Sequence, residues 1–168
     1  LQMQQYVNQL VGSVHAPCSI LDHGVDTNHF QPQTPSSELQ TSLGINQDSI
    51  VGVFLGTTYG FSRLDQLIAH LKTIRMAIPD FVLLIVGAGE LDEEIRKAIV
   101  AHEAQEYVFT CGMIDYVHLP DYLSLASIAL CPFEVNDITR EIIPIKILQY
   151  LASSLPVICT PLPDVMRH

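Results

Sequence analysis

Apolar runs of strand length alternate with segments of helical periodicity from residue 50 onward. Uniformly apolar runs are typical of strands covered by helices on both faces, because such strands bury side chains in both directions. The pattern predicts strands over residues 50–55, 81–86, 107–111, 128–132 and 157–160.

Helical periodicity fills the intervals between these runs. Leu64, Leu67, Ile68 and Leu71 recur at the spacing of one helix face, and Pro79 limits that helix. The predicted helices cover residues 62–77, an acidic segment from residue 90, residues 118–125 and residues 144–153. This β-α alternation predicts an α/β fold with a Rossmann-like, doubly wound parallel sheet and right-handed crossovers.

The chain before residue 50 lacks this alternation. Residues 1–17 predict a helix that ends before Pro17, and residues 18–21 predict a short strand. The polar stretch around Pro32 and Pro35 predicts a surface connection.

Ligands of open parallel sheets bind outside the carboxyl ends of the strands, where the connecting loops gather. Any ligand site is therefore expected in a defined set of loops. These loops are residues 56–63, 87–90, 112–117, 133–144 and 160–164.

Composition limits the classes of partner. The 168 residues are 48% apolar and 15% charged, which suits one globular domain. Eight basic against eighteen acidic residues give a net charge of −10, which disfavours nucleic acid and anionic membrane surfaces as partners. A small anionic ligand remains compatible, because it needs only a few local donors and a helix N-terminus.

Cysteine and histidine spacing shows no metal or disulfide motif. The four cysteines have no C-x-x-C pair, and three lie in apolar runs, so we expect free, buried thiols. With no secretory signal and no N-x-S/T acceptor, this usage favours a cytoplasmic protein. The seven histidines lack paired spacing, so no metal is expected, and neither a P-loop nor a G-x-S-x-G elbow is present.

Two loops have the geometry of an anion site. Gly87-Ala88-Gly89 follows a strand and precedes a helix, but the carboxylates after it repel a diphosphate, which favours a plain tight turn. The polar loop 133–144 precedes an apolar helix and brings Arg140 and Lys146 close to that helix N-terminus. The alternative interpretation is a solvated loop with Pro144 as a helix start.

Four segments in order resemble the carboxyl-terminal half of family 4 retaining glycosyltransferases with the GT-B fold. They are residues 20–32 (ILDHGVDTNHFQP), 84–89 (LIVGAG), 108–112 (VFTCG) and 144–158 (PIKILQYLASSLPVI). The resemblance implies a Rossmann-like domain, one half of a GT-B architecture, that binds a nucleotide-diphosphate sugar as substrate, and no cofactor is predicted.

The E-x7-E element of that family aligns with Glu141 and residue 149. The resemblance implies that Glu141 faces the donor sugar as the catalytic residue and that Ile142, Ile143 and Pro144 approach the diphosphate, with Arg140 and Lys146 nearby. Gln149 stands where the family carries the carboxylate that holds the ribose, and an amide can still accept and donate hydrogen bonds there.

The first β-α loop departs from the family pattern. After Gly56, Thr57 and Ser62 occupy positions where the family carries an Arg and a Lys, and Arg63 is the candidate substitute. By the same resemblance, the backbone of Met113 and Ile114 faces the nucleobase.

The resemblance also predicts the domain organisation. Residues 1–17 are expected to be the tail of an amino-terminal acceptor domain, and residues 18–168 the donor domain, truncated at its end and inactive alone. Two alternatives remain open: a non-catalytic binding module on a degenerate transferase scaffold, favoured by Thr57, Ser62 and Gln149, or a nucleotide-sugar epimerase of the same architecture.

Overall fold

A computed structural model describes residues 23–167 together with Val7, Gln9, Leu10, Gly12 and Leu21. The helix predicted over 1–17 and the strand predicted over 18–21 lie for the most part outside the described residues.

A parallel sheet of five strands forms the centre of the fold, in the order β3-β2-β1-β4-β5. Its inner strands β1 and β2 bury almost every residue, as their uniformly apolar sequences predict. The expected Rossmann-like α/β fold class is confirmed. The strands are β1 (Ile50–Leu55), β2 (Phe81–Val86), β3 (Val108–Thr110), β4 (Ile128–Cys131) and β5 (Val157–Cys159).

Helices connect successive strands, and α2 packs against α3. The chain adds β2 and β3 on one side of β1, then returns to add β4 and β5 on the other side. Right-handed crossovers therefore place helices on both faces. The helices are α1 (Ser37–Ser42), α2 (Leu64–Ala77), α3 (Asp92–Ala101), α4 (Leu119–Ser124) and α5 (Ile145–Ala152).

Several boundaries differ from the sequence-based predictions. Helix α2 begins at Leu64 because Gly60–Ser62 forms a 3₁₀ turn and Arg63 has left-handed backbone angles (φ 51°, ψ 31°). Strand β3 stops at Thr110, so Cys111 lies outside it and is half-buried, as is Cys159. The expectation that these thiols are buried is correct for Cys131 alone among the described cysteines.

Helix α1 lies within the stretch predicted to be a surface connection. The Ser36 hydroxyl accepts a hydrogen bond from the Leu39 N–H at 3.2 Å, which is an N-cap. None of its residues is buried, so the segment does lie on the surface. The prediction was wrong only about its regular structure.

Tyr150 joins α5 to the middle of the sheet. Its side chain is fully buried, and its hydroxyl oxygen accepts a hydrogen bond from the Leu55 N–H at 2.8 Å. The same hydroxyl lies 3.5 Å from the Leu130 carbonyl oxygen. Burial raises the pKa of Tyr150 above its usual range, so the phenol stays neutral and bonds strands β1 and β4 to one helix.

We expect Gly87→Ala to destabilise the domain. A Cβ at Gly87 lies 2.1 Å from the Gly56 carbonyl oxygen, and the φ of 138° is strained for any other residue. Urea unfolding should show a loss of roughly 2 kcal/mol or more. Gly24→Ala is the control, because a Cβ there has no neighbour within 4 Å. Equal stability of both variants contradicts this close approach.

Candidate functional site

Three glycines form the floor of the site at the carboxyl edge of the sheet. Gly56, Gly87 and Gly112 directly or closely follow β1, β2 and β3 and have φ angles of 113°, 138° and 68°. The Gly87 N–H donates to the Gly112 carbonyl at 2.9 Å, and the Gly56 N–H donates to the Val86 carbonyl at 2.8 Å. Without side chains, this edge leaves the backbone open to a ligand.

A cleft of about 190 Å³ lies on this floor. It brings together four of the residues predicted for donor binding: Gly56, Met113, Ile114 and Gln149. The remaining lining residues are Leu55, Thr57, Val86, Gly87 and Leu119. Loops after β1, β2 and β3 and helix α5 therefore converge on one site.

Lys146 lies behind this floor with a side chain that is only 8% exposed. Its Nζ lies 3.7 Å from the centre of the Phe54 ring and 4.7 Å from the centre of the Phe133 ring. A Cβ at Gly56 would lie 3.2 Å from this Nζ, so the glycine leaves room for the ammonium beside the cleft. Two aromatic faces stabilise the cation in place of water.

Burial lowers the pKa of Lys146 to about 8. The nearby Cys131 supplies no counter-charge at neutral pH, because burial raises the pKa of that thiol to about 12. No ion pair to Lys146 occurs among the side chains that the structure describes. The site thus holds one desolvated positive charge beside Gly56.

Helix α5 presents its N-terminus to the same region. Pro144 precedes the helix, no side chain caps it, and its first turn contains no acidic residue. Its free N–H groups and the positive end of its dipole favour an anion there. The predicted anion site lies at this helix N-terminus, at the end of loop 133–144, and its occupation by an anion stays a prediction.

Helix α3 shows the opposite arrangement. The Asp92 carboxylate accepts hydrogen bonds from the Gly89 N–H at 2.9 Å and the buried Thr58 hydroxyl at 2.6 Å. Glu90 accepts one from the Gly60 N–H at 2.7 Å. The Asp92 carboxylate therefore occupies the N–H of Gly89 in the Gly87–Gly89 turn, as the tight-turn interpretation expects.

The loop between β4 and α5 is held by its own side chains. The Asn136 carboxamide oxygen accepts from the N–H groups of Ile138 and Thr139, at 2.9 and 3.0 Å. The Glu134 N–H donates to the Phe61 carbonyl at 2.7 Å, which ties this loop to the loop after β1. These hydrogen bonds connect the loop to itself and to the loop after β1.

The other predicted residues of this loop are more dispersed. Arg140 is exposed and lies 3.5 Å from Asp137, while Ile142 and Ile143 are half-buried. Glu141 ends the 3₁₀ turn Thr139–Glu141, and its side chain lies outside the described part of the structure. The proposed roles of these residues stay predictions.

Arg63 lies outside the cleft. Its guanidinium pairs with the Glu134 carboxylate at 2.5 Å, and both side chains are partly exposed. Thr57 does line the cleft, whereas the buried Ser62 hydroxyl donates to the Tyr59 carbonyl at 2.6 Å. Arg63 as a substitute phosphate ligand also stays a prediction.

The aromatic residues around Lys146 were missed by the sequence analysis. Phe54 lies in β1, two positions before Gly56, and its ring contacts the Lys146 ammonium that approaches Gly56. The alternation of side chains along the strand could have indicated Phe54 as a neighbour of the site. Phe133 enters through the β4 loop, and no local pattern indicates it.

The described part of the chain contains neither a candidate metal site nor a helix that could span a membrane. Residues 23–167 contain no group of three His, Cys, Asp or Glu side chains arranged to hold a metal ion. In the same part of the chain, no helix has the length and apolar character needed to cross a bilayer.

The fold and the cleft define the class of protein. A doubly wound parallel sheet with an open cleft at its carboxyl edge is typical of Rossmann-like ligand-binding domains. Residues 49–168 match the family model for glycosyl transferases group 1, and the chain therefore belongs to that family.

Curated relatives are transferases of greater length. A GDP-mannose-dependent alpha-(1-6)-phosphatidylinositol monomannoside mannosyltransferase of Mycolicibacterium smegmatis is 28% identical over 163 residues, covering 93% of this chain. A putative teichuronic acid biosynthesis glycosyltransferase, TuaH of Bacillus subtilis, is 25% identical over 117 residues, covering 69% of this chain and 28% of TuaH. The chain spans 42% of the length of the mannosyltransferase.

Solved structures share the fold. The carboxyl-terminal domain of the group 1 glycosyl transferase LpcC from Francisella tularensis has a TM-score of 0.65 at 18% identity, covering 83% of this chain and 72% of that domain. HepE of Anabaena, solved with UDP and glucose, has a TM-score of 0.66 at 16% identity, covering 99% of this chain and 44% of HepE.

We expect Lys146→Met to stabilise the domain at pH 7. A pKa lowered from 10.5 to about 8 corresponds to about 3 kcal/mol, and lost cation–π contacts offset about 1 kcal/mol of it. Urea unfolding should therefore show a gain on the order of 2 kcal/mol.

The pH dependence follows from the sign of the same pKa change. Between about pH 8 and pH 10.5 the unfolded chain binds the Lys146 proton more often than the folded chain does. The destabilisation is complete below this window and disappears as the pH rises through it, so the two proteins should converge. Lys97→Met, at an exposed lysine, is the control. A destabilised Lys146→Met at pH 7 contradicts the prediction.

Proposed function

We propose that this chain is the donor-binding, carboxyl-terminal domain of a retaining family 4 glycosyltransferase, one half of a GT-B architecture that uses a nucleotide-diphosphate sugar. The observation that carries the proposal is the desolvated Lys146 ammonium beside Gly56, next to the N-terminus of α5. A lone buried cation with aromatic neighbours has no structural benefit that a methionine lacks, whereas a diphosphate would use its charge.

The proposed pose places the diphosphate between Gly56 and the start of α5. There it accepts hydrogen bonds from free backbone N–H groups and meets the Lys146 ammonium. When the bond from the anomeric carbon to the diphosphate oxygen breaks, negative charge collects on that oxygen. The ammonium and the helix dipole then stabilise the leaving group.

The nucleoside in this pose extends along the cleft toward Met113 and Ile114. Gln149 lines the same cleft and can both accept and donate hydrogen bonds to the ribose hydroxyls. Glu141, at the end of the Thr139–Glu141 turn, is proposed to face the donor sugar. Arg140, Ile142 and Ile143 flank that carboxylate in sequence and are proposed to approach the diphosphate.

Relatives suggest the donors to try first. The mannosyltransferase from Mycolicibacterium smegmatis is described as GDP-mannose-dependent, and HepE was solved with UDP and glucose. We therefore propose a nucleoside diphosphate hexose, with GDP and UDP as the nucleotides to compare. No metal or cofactor has a part in this proposal, and nucleic acid is not proposed as a partner.

The acceptor belongs to the rest of the proposed enzyme. We propose that an amino-terminal domain, with residues 1–17 as its tail, faces the cleft and supplies the acceptor site. The proposed enzyme acts in the cytoplasm. The chain by itself is then expected to bind donor without transferring the sugar.

A second candidate is a binding module on a degenerate transferase scaffold. The Arg63–Glu134 ion pair favours it, because the guanidinium of Arg63, at the end of the first β-α loop, is engaged by a carboxylate of the chain itself. The amide at Gln149 in place of a carboxylate favours it too. Donor affinity in the range of active transferases would contradict this candidate.

Calorimetric titration of the chain with GDP, UDP, ADP and their hexose conjugates tests the donor-binding proposal. One of them should bind at up to millimolar concentration, and Lys146→Met should weaken it roughly tenfold because a charged hydrogen-bond donor is lost. Glu141→Ala and Arg140→Ala should each weaken binding of the hexose conjugate. Lys97→Met is the matched control, and absence of binding by the unaltered chain contradicts the proposal.

Affinity should also depend on pH. Because the pKa of Lys146 is about 8, the ammonium loses its proton as the pH rises from 7 to 9. Binding of the nucleoside diphosphate should weaken over that interval in the unaltered chain and stay level in Lys146→Met. A parallel decline in both proteins would assign the effect to another group.

A further inference from the structure

A turn near the start of the described chain contacts the loop that forms one wall of the cleft. This turn, residues 26–30, belongs to the first of the four segments that carry the family resemblance. None of its residues lines the cleft. Its contacts with Tyr116 connect it to the wall of the cleft.

Hydrogen bonds within the turn fix the orientation of His29. The Asp26 carboxylate accepts from the N–H groups of Asn28 at 2.9 Å and His29 at 3.3 Å, and the Asp26 carbonyl accepts from the Phe30 N–H at 2.8 Å. Phe30 is fully buried in the core and anchors the turn to the domain. His29 is therefore presented by a rigid element.

His29 holds Tyr116 by two different contacts. Its Nε2 lies 2.9 Å from the Tyr116 carbonyl oxygen, and a carbonyl only accepts, so Nε2 carries the proton and donates. The two rings stack with centres 4.6 Å apart and planes at 20°. The Phe30 ring adds an edge contact to Tyr116 at 5.5 Å and 82°.

The segment held in this way runs from Gly112 to His118. Gly112 accepts the Gly87 N–H at its start, and Tyr116 meets His29 near its end. In the described part of the chain, these two hydrogen bonds join the segment to loops and turns outside it. Between the two anchors lie Met113, which is 74% exposed, and Ile114, both of which line the cleft.

We propose that His29 is a positioning residue for the nucleoside half of the donor. By holding Tyr116, His29 also holds Met113 and Ile114, which form the part of the cleft wall that a base would contact. The inference depends on the proposed donor site and adds a residue that does not line the cleft. Since Gly56 and Lys146 lie on other elements, loss of His29 should affect nucleoside contacts and leave diphosphate contacts intact.

The experiment compares two ligands that share the diphosphate. The chain is titrated at pH 7 with the tightest of GDP, UDP and ADP, and separately with inorganic pyrophosphate. His29→Ala should raise Kd for the nucleoside diphosphate by roughly three- to tenfold, the range of one lost hydrogen bond and its stack. Kd for pyrophosphate should stay within about twofold of the unaltered chain.

Three further variants separate positioning from general stability. His29→Phe keeps the stack without the hydrogen bond and should give an intermediate Kd, and Tyr116→Ala should behave as His29→Ala does. His70→Ala is the matched control, because His70 also contacts a backbone carbonyl, that of Gln66 at 2.8 Å, but on helix α2. It should leave both dissociation constants unchanged.

The outcomes distinguish the inference from the function on which it rests. If the unaltered chain binds no nucleoside diphosphate, the donor proposal is overturned and this inference with it. If it binds and His29→Ala binds equally well, His29 alone loses its role. An equal loss for both ligands in His29→Ala also overturns it, because that is the behaviour of a merely structural residue. Should His29→Ala fail to fold, the comparison of His29→Phe with the unaltered chain decides.

Discussion

The close approach of the loops after β1 and β2 is the constraint on which the site depends. Gly87 lies so near the Gly56 carbonyl that any side chain there would overlap it. This contact forms the floor of the cleft, and the missing side chain at Gly56 leaves room for the ammonium of Lys146. A side chain at Gly87 would overlap the Gly56 carbonyl, and a Cβ at Gly56 would crowd the Lys146 ammonium at 3.2 Å.

The charge at the start of α5 is positive, whereas the net charge of the domain is negative. The chain carries a net charge of −10, and the first turn of α3 contains three acidic residues, of which Asp92 accepts a hydrogen bond from the Gly89 N–H. Helix α5 has none in its first turn and has Lys146 instead. A local positive site inside an acidic domain can select a small anion while the surface repels polyanions.

The strands of the sheet could be predicted from the sequence because parallel strands that are buried on both faces are uniformly apolar runs. The runs at Ile50–Leu55 and Phe81–Val86 coincide with β1 and β2. Helix α1 was missed although Ser36 is a common N-cap residue, because the prolines around it favour a loop. Helix α2 begins at Leu64 and not at residue 62 as predicted, because Arg63 has left-handed backbone angles. An arginine in the sequence gives no indication of such angles.

Contacts between individual side chains were harder to predict than which residues would lie at the carboxyl edge of the sheet. Met113, Ile114 and Gln149 came together because the topology gathers strand ends at one edge. The pairing of Arg63 with Glu134, and of His29 with Tyr116 across 87 positions, depends on tertiary packing. Local pattern carries no information about such distant contacts.

Lys146 also bears on the history of the chain. A lysine that lowers stability is maintained only while selection acts on what its charge does, because random substitution would otherwise replace it with a more stable apolar residue. A scaffold released from ligand binding should lose such a residue early.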